Sequence, residues 1–303
     1  MTDAAERRAW AYLSRVAEPP CPALAALVFE KGPIEAAGLI RRGQAPDHVA
    51  PHVAARYAED RSGPDLELLT VRGGRLVTPD DDEWPVLALT AFAGAEARKR
   101  SRGAAPLVLW AMGPALLDDV AERSVAMVGT RAATAYGEYV AADLAAGLVE
   151  RDVAVVSGGA FGIDGAAHRA ALAADGVTVA VLAGGIDVPY PAGHSALLHR
   201  IATTGLLVSE YPPGVRPARH RFLTRNRLVA VLGRATVVVE AGLRSGAANT
   251  AAWAKAMGRP VGAVPGPVTS SASAGCHQLL RRQDAEVVTR VEEVIEIVGR
   301  CGE

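Results

Sequence analysis

The strongest constraint on this chain is a rhythm that begins at Ser124. Six apolar runs of strand length follow, at 125–128, 153–156, 177–182, 206–208, 236–239 and 261–264. Each leads into a turn containing Gly or Pro and then into a segment with helical periodicity. Strands apolar on both faces must be covered on both faces, and a parallel sheet between two helical layers does this. The pattern predicts an α/β fold, an extended Rossmann-like, doubly wound, mainly parallel sheet. Ligands of such sheets sit in the crevice at the carboxyl ends of the strands, so the strand-end loops are where function is expected.

The part before this rhythm reads differently. Up to about Asp60, Trp10, Leu13, Val16, Leu24, Leu27 and Val28 recur at helical spacing, broken at Pro19-Pro20 and Gly32-Pro33. This predicts a small helical domain over residues 1–62 and the sheet domain over 63–303, joined by a polar linker at 61–64. Strand-like pieces at 66–71 and 107–110 flank an acidic run, Asp80-Asp81-Asp82-Glu83.

Several function classes are disfavoured. There is no 18-residue uncharged apolar run, and the opening MTDAAERRAW lacks the order of a secretory signal. Cys21, Cys276 and Cys301 are odd in number and widely spaced, so neither a disulfide framework nor a CxxC metal pair is expected. The chain reads as soluble and cytoplasmic, with no membrane partner. Histidines and acids do not cluster at ligand spacing, and no metal is expected.

Formal net charge is −1. Yet between Tyr211 and Gln283 the one acid is Glu240, among arginines running from Arg216 to Arg282. Such segregation predicts an electropositive face on a neutral protein, the footprint of an anion binder. Arginines serving only for solvation remain the competing reading.

Four strand-end loops carry the chemistry. The first is Val128-Gly129-Thr130-Arg131. The second is Ser157-Gly158-Gly159-Ala160-Phe161-Gly162-Ile163-Asp164, ahead of His168. The third leads from Ser209-Glu210 to Phe222-Leu223-Thr224-Arg225-Asn226-Arg227. The fourth runs Ser245-Gly246-Ala247-Ala248-Asn249-Thr250. Glycines at strand-to-helix turns bring backbone amides close to a phosphate, and the helix N-terminus adds partial positive charge. The second and fourth loops fit that role. The first turn reads GTRAATAYG, not GxGxxG, and no P-loop signature occurs, so no nucleotide cofactor is expected.

Arg131 can grip a phosphate bidentately or form a structural ion pair, for instance with Glu240. Arg225 and Arg227 are two apart on a helix and cannot face one spot, so one is expected to meet ligand and the other to tie down the fold. Phe222 among arginines suits base stacking, with core packing as the alternative. Asp164 and His168 are read as a helix N-cap and a buried hydrogen-bonding side chain rather than an acid–base pair. Tyr190-Pro191 is placed at the same crevice edge.

Together these loops resemble the DNA-processing A (DprA/Smf) family. The ordered series VGTR, SGGAFGIDGAAHRAAL, GGIDVPYP, LLVSEYPPG, FLTRNRL, VVVEAGLRSGAANTAAWA and AVPGPV spans about 125–288. RRAWAYLSRV resembles the family's small N-terminal helical, SAM-like domain. The resemblance implies a non-enzymatic, dimeric protein that binds and protects single-stranded DNA and loads the recombinase RecA on it during natural transformation. By motif it carries over Arg131, the Gly158-Gly159 turn, Arg219, Phe222 and Arg225-Asn226-Arg227; Ser245 and Gly246 join them from the fourth loop. Some positions depart from the family pattern. Leu223 stands where Pro is frequent. Gly275-Cys276-His277 replaces a Gly-Thr-Asn turn, and Gln283-Asp284-Ala285 replaces a Gly-Ala step, so a 275–285 loop is expected to make different contacts. The chain reaches Glu303 near the last core helix, so the C-terminal winged-helix domain of many relatives is expected to be absent. The alternative function is a nucleoside-monophosphate-processing hydrolase on a related fold, but its P-G-G-x-G-T-x-x-E signature is missing: Gly246 to Thr250 runs into Ala251-Ala252-Trp253. A structural adaptor without DNA affinity is a third reading.

Overall fold

A computed structural model describes residues 3–300; Cys301 and Glu303 lie outside them. The N-terminal helical layer comprises α1 (Ala4–Val16), α2 (Pro22–Lys31), α3 (Pro33–Arg41), α4 (Ala50–Val53) and α5 (Ser62–Val71). There follow β1 (Gly74–Val77), α6 (Val86–Leu89), α7 (Ala95–Arg98), β2 (Leu109–Met112) and α8 (Leu117–Glu122). The alternating part begins with β3 (Ser124–Val128), α9 (Ala135–Val149), β4 (Ala154–Ser157), α10 (Ile163–Ala173), β5 (Thr178–Leu182) and α11 (Ser195–Thr204). It continues through β6 (Leu206–Ser209), α12 (Arg219–Leu232), β7 (Ala235–Val238), α13 (Gly246–Ala256), β8 (Val261–Ala263), α14 (Ala274–Arg281), β9 (Glu286–Val287) and α15 (Val291–Gly299). None of the described helices is long and apolar enough to cross a membrane.

All six runs foreseen from the sequence are strands of one nine-stranded sheet, ordered β1-β2-β6-β5-β4-β3-β7-β8-β9. β3 to β9 pair in parallel, whereas β2 joins β6 and β1 antiparallel. The fold is α/β and Rossmann-like. From β3 the chain winds outward through β4, β5 and β6, then returns to place β7 on the other side of β3. The winding direction reverses between β3 and β7, and there the strand ends part to leave a crevice.

The segment 61–71 differs from the reading as a linker followed by a strand. It is α5, whose start is held by Asp60 accepting from the Ser62 amide (2.9 Å) and hydroxyl (2.6 Å). Its run is leucine-rich rather than β-branched, which favours helix, and Leu69 is buried on one face while Val71 points to solvent. Asp65 of α5 pairs with Arg15 of α1 at 2.7 Å. The 107–110 strand is shifted to β2, set by pairing of Trp110 with Ser209. Residues 274–281 are helical rather than a loop, with Cys276 buried beneath the β7 carbonyls. Leu76, Val108, Trp110 and Ile186 share one apolar cluster with the N-terminal helices, so that layer is packed directly against the β1–β2 flank.

Candidate functional site

The parted strand ends enclose a crevice of about 740 Å³. Its rim and floor come from the β3–α9 loop, the β4–α10 loop, Tyr190, one face of α12 and the start of α13.

The β3–α9 loop presents Arg131, and Glu240 decides its shape. The Thr130 amide donates to the Glu240 carbonyl (2.7 Å), while the carboxylate accepts from the Thr134 amide (2.9 Å) and hydroxyl (2.6 Å). A Cβ on Gly137 would lie 2.2 Å from that carboxylate, so glycine there lets Glu240 press on the first turn of α9. Buried Glu240 is therefore committed to α9 and not to Arg131. Arg131 is exposed, with no hydrogen bond or ion pair among the described residues. Its guanidinium lies 5.2 Å from the centre of the Phe222 ring.

On α12, Arg219, Phe222, Leu223, Arg225, Asn226 and Val229 line the crevice, with Ala218 just ahead of the helix. Phe222 is half-buried, with Tyr190 tilted at 52° and 5.4 Å away, so it belongs to the crevice wall rather than to the core. Arg225 forms the floor. Its Nη1 donates to the carbonyls of Gly158 (2.6 Å) and Val181. A Cβ on Gly158 would stand 2.6 Å from the guanidinium, so only glycine admits this packing. Burial pulls the Arg225 pKa down to about 10, with Asp164 opposing, and the group stays cationic at neutral pH. Arg131 and Arg219 at the rim and Arg225 below give three cations converging on one cavity.

The remaining candidates divide. Ser245 caps α13, its Oγ accepting from the Ala248 amide (3.2 Å), and with Gly246 it turns the positive end of that helix toward the crevice. Asn226 braces α12 against this turn, donating to Gly246 O (3.2 Å) and Asn249 Oδ1 (3.3 Å). Gly159 lies behind the wall at φ +69°, as a turn-maker packed on Leu198. The second loop offers no open phosphate cradle, because Asp164 Oδ2 already accepts from the Gly158 (3.1 Å) and Ala160 (3.3 Å) amides. Asp164 is thus an internal loop clamp rather than an N-cap; the N-cap position is Gly162, whose φ of +72° fits it against Thr130 O. Arg227 does not belong to the site: it is fully buried on the far side of α12, with Nη2 against both oxygens of Glu210 at 2.6 and 2.8 Å. Two residues along a helix turn the side chain about 200°, which separates it from Arg225.

The arginine-rich stretch is likewise not one face. Arg221 is taken by Glu18 and Lys255 by Asp284, while Arg234 and Arg259 line a second cavity with Asp82 and Asp118 at the amino ends of the strands. Phe161, which the sequence reading passed over, stands 46% exposed beside the crevice loop, edge-on to His194 at 4.6 Å. An aromatic set between glycines, Gly159 and Gly162, in a strand-end loop was the available signal.

His168 is buried, its Nδ1 donating to Thr178 Oγ1 (2.7 Å), which in turn donates to Val155 O. Burial, helped by His194 and by the Arg225 and Arg169 charges, lowers its pKa to about 3. Below about pH 6.5 the unfolded chain takes up a proton that the fold refuses, so stability falls as pH drops from there toward 3. Its share is on the order of 1 kcal/mol per pH unit once pH is well below 6.5. Denaturant titrations at pH 7, 6 and 5 are expected to show this slope in wild type and to lose it in His168→Leu; an unchanged slope would count against the buried neutral imidazole.

Comparison with known proteins agrees with this architecture. The sequence profile of the DNA recombination-mediator protein A family matches residues 75–299. A putative DNA processing protein DprA from Mycobacterium tuberculosis is 74% identical over 296 residues, 98% of this chain and 76% of the relative. The DNA processing protein DprA of Streptococcus pneumoniae is 40% identical over 191 residues, 63% of this chain and 66% of its own. Among solved structures, DNA processing protein A from S. pneumoniae superposes with a TM-score of 0.74 at 29% identity, covering 98% of both chains. DNA processing protein A from Helicobacter pylori, described for its single-stranded DNA binding mode, gives a TM-score of 0.59 at 30% identity, covering 64% of this chain and 88% of that one.

Proposed function

The chain belongs to the DNA recombination-mediator protein A family, and from that premise we propose that its strand-end crevice binds single-stranded DNA. Bound strand is thereby protected and presented for loading of the recombinase RecA, with no reaction catalysed. The observation that carries this reading is the pairing of an uncommitted cation with an aromatic face at the rim. Arg131 lies over Phe222 with Tyr190 alongside, above the Arg225 floor. A phosphate can meet the arginines while its unpaired base stacks on Phe222, which a duplex with both strands stacked cannot offer. Among the crevice-lining residues the one carboxylate is Asp164, and its Oδ2 is held by backbone amides. That disfavours the hydrolase alternative, and nucleoside monophosphates are expected to release no free base.

The same reading makes the protein a cytoplasmic homodimer, for which sedimentation should give a two-chain mass. The central test is fluorescence anisotropy of labelled oligo-dT and a matching duplex across a salt series. Tight binding that prefers the single strand and weakens steeply with salt is expected. Equal or absent binding of both would reject the crevice as a single-strand site. RecA assembly on an oligonucleotide covered by single-strand-binding protein should quicken in its presence; no change would remove the loading role.

A further inference from the structure

The 211–222 arm supplies one whole side of the crevice: Pro217, Ala218, Arg219 and Phe222 all line it. Its own sequence gives it little to stand on. It carries Pro212, Pro213, Gly214 and Pro217, and α12 has no side-chain cap at Ala218. The 185–187 turn holds its first half, the Gly185 amide donating to Val215 O (2.8 Å) and the Gly214 amide to Asp187 Oδ1 (2.9 Å), and Arg102 reaches the His220 carbonyl (2.8 Å). The side-chain ion pairs at the start of α12 come from behind, from the N-terminal helical layer some 200 residues earlier in the chain. Glu18, between α1 and α2, accepts from Arg221 Nε (2.7 Å) and Nη2 (2.9 Å) and from His220 Nε2 (3.1 Å). Arg56 holds the same carboxylate from its other side at 3.1 Å. Arg221 then reaches back through Nη1 to the Arg216 carbonyl (2.6 Å), closing the bend ahead of α12. Arg15 of α1 donates to the Pro213 carbonyl at 2.7 Å. Burial alone would raise the Glu18 pKa, but the hydrogen bonds from Arg221, His220 and Arg56 bring it down to about 2, so the clamp is charged at any working pH.

We propose that the N-terminal helical layer acts as a buttress for the single-strand site, with Glu18 as the positioning residue that fixes the 211–222 arm through Arg221. The proposal rests on the crevice being the DNA site. It assigns the small domain a part in binding without contact to DNA: neither Glu18 nor Arg221 lines the crevice. Arg219 and Phe222 flank Arg221, so freeing Arg221 loosens the first turn of α12, and the strand must then order that turn as it binds.

The sign of the effect separates this from plain electrostatics. Deleting a carboxylate from a protein that binds a polyanion should strengthen binding through the long-range field. If Glu18 only neutralised a DNA-contacting Arg221, Glu18→Ala would also strengthen it by releasing that arginine. The buttress requires the reverse: Glu18→Ala and Arg221→Ala each weaken oligo-dT binding by about tenfold, and the double variant is no weaker than either single one, since the two act as a unit. Tighter or unchanged binding by Glu18→Ala, or additive losses, would overturn the proposal. Hydrogen exchange of the DNA-free protein gives a readout that does not depend on the crevice being the DNA site. In Glu18→Ala the amides of residues 214–224 should exchange faster while those of the central strands keep their protection. Unchanged exchange in the arm would overturn the buttress even if DNA binding failed for other reasons, and retained strand protection shows that the variant is folded.

Discussion

Replacing Arg227 by alanine is expected to lower folding stability by about 3–5 kcal/mol, the loss typical when one partner of a buried ion pair is removed. Arg227 and Glu210 are 0% and 3% exposed, and the Arg227 guanidinium also lies 5.3 Å from the centre of the Phe92 ring. Without it, Glu210 keeps its burial and loses its counter-charge. Burial already pushes the Glu210 carboxyl up, and Arg227 is the group that opposes the shift. In the variant the carboxyl should therefore be protonated in the fold. A folded-state pKa above the unfolded one favours the fold at low pH, and that benefit disappears as pH rises through the folded value. Arg227→Ala should accordingly lie closer to wild type at pH 5 than at pH 8 in denaturant titrations. The double variant Arg227→Met, Glu210→Leu should regain most of the lost stability, because apolar side chains of similar volume can replace a buried pair. At temperatures where Arg227→Ala is folded, its single-strand affinity should match wild type. A loss of affinity in the folded variant would return Arg227 to the binding surface and refute the division of α12 into two faces.

The second large effect concerns Arg131. Arg131→Ala is expected to weaken oligo-dT binding by about 1.5–3 kcal/mol, roughly 10- to 150-fold, while leaving the melting temperature unchanged. The contrast with Arg227 follows from burial: one arginine has no bonded partner among the described residues, the other is sealed against a carboxylate. The salt dependence should change in step, the log–log slope becoming shallower by about 0.7 if a single phosphate contact on a single strand is lost. Phe222→Ala should reduce affinity by about 1–3 kcal/mol without altering that slope, since a stacked base releases no counterion. The two losses should not add, because the Arg131 guanidinium rests near the Phe222 ring, and neighbouring side chains that share a ligand act as a unit. Wild-type affinity in Arg131→Ala would remove this residue from the site and leave Arg219 and Arg225 as its cations.

The comparison between these two arginines shows how far the sequence reaches. The alternation of apolar runs and helical segments was legible because it is local: strand and helix periods are carried by residues within one element. From it followed the parallel sheet, the strand-end crevice, and the four loops that build it, with Arg131, Arg219, Phe222, Ser245 and Gly246 all lining the cavity. Helical phase also required Arg225 and Arg227 to part company. Which of them faced the cavity depended on how α12 is rotated against the sheet, and in the fold Arg227 meets Glu210, 17 residues earlier, and the ring of Phe92, far earlier in the chain.

Tertiary structure alone decided three further matters. The Gly158-Gly159 loop carries the composition of a phosphate cradle, but Asp164 folds back into it and takes the amides, which spacing cannot reveal. Charge counting over 211–283 suggested one basic face, yet Glu18 from the N-terminal helices and Asp284 just past the stretch neutralise part of it, while Arg219 and Arg225 join Arg131 at the crevice. Glu18 itself gave no local signal of importance, being a lone acid before two prolines. Secondary structure and loop placement arise from near neighbours and can be read from the chain, whereas the fate of each charge depends on which distant partner reaches it first.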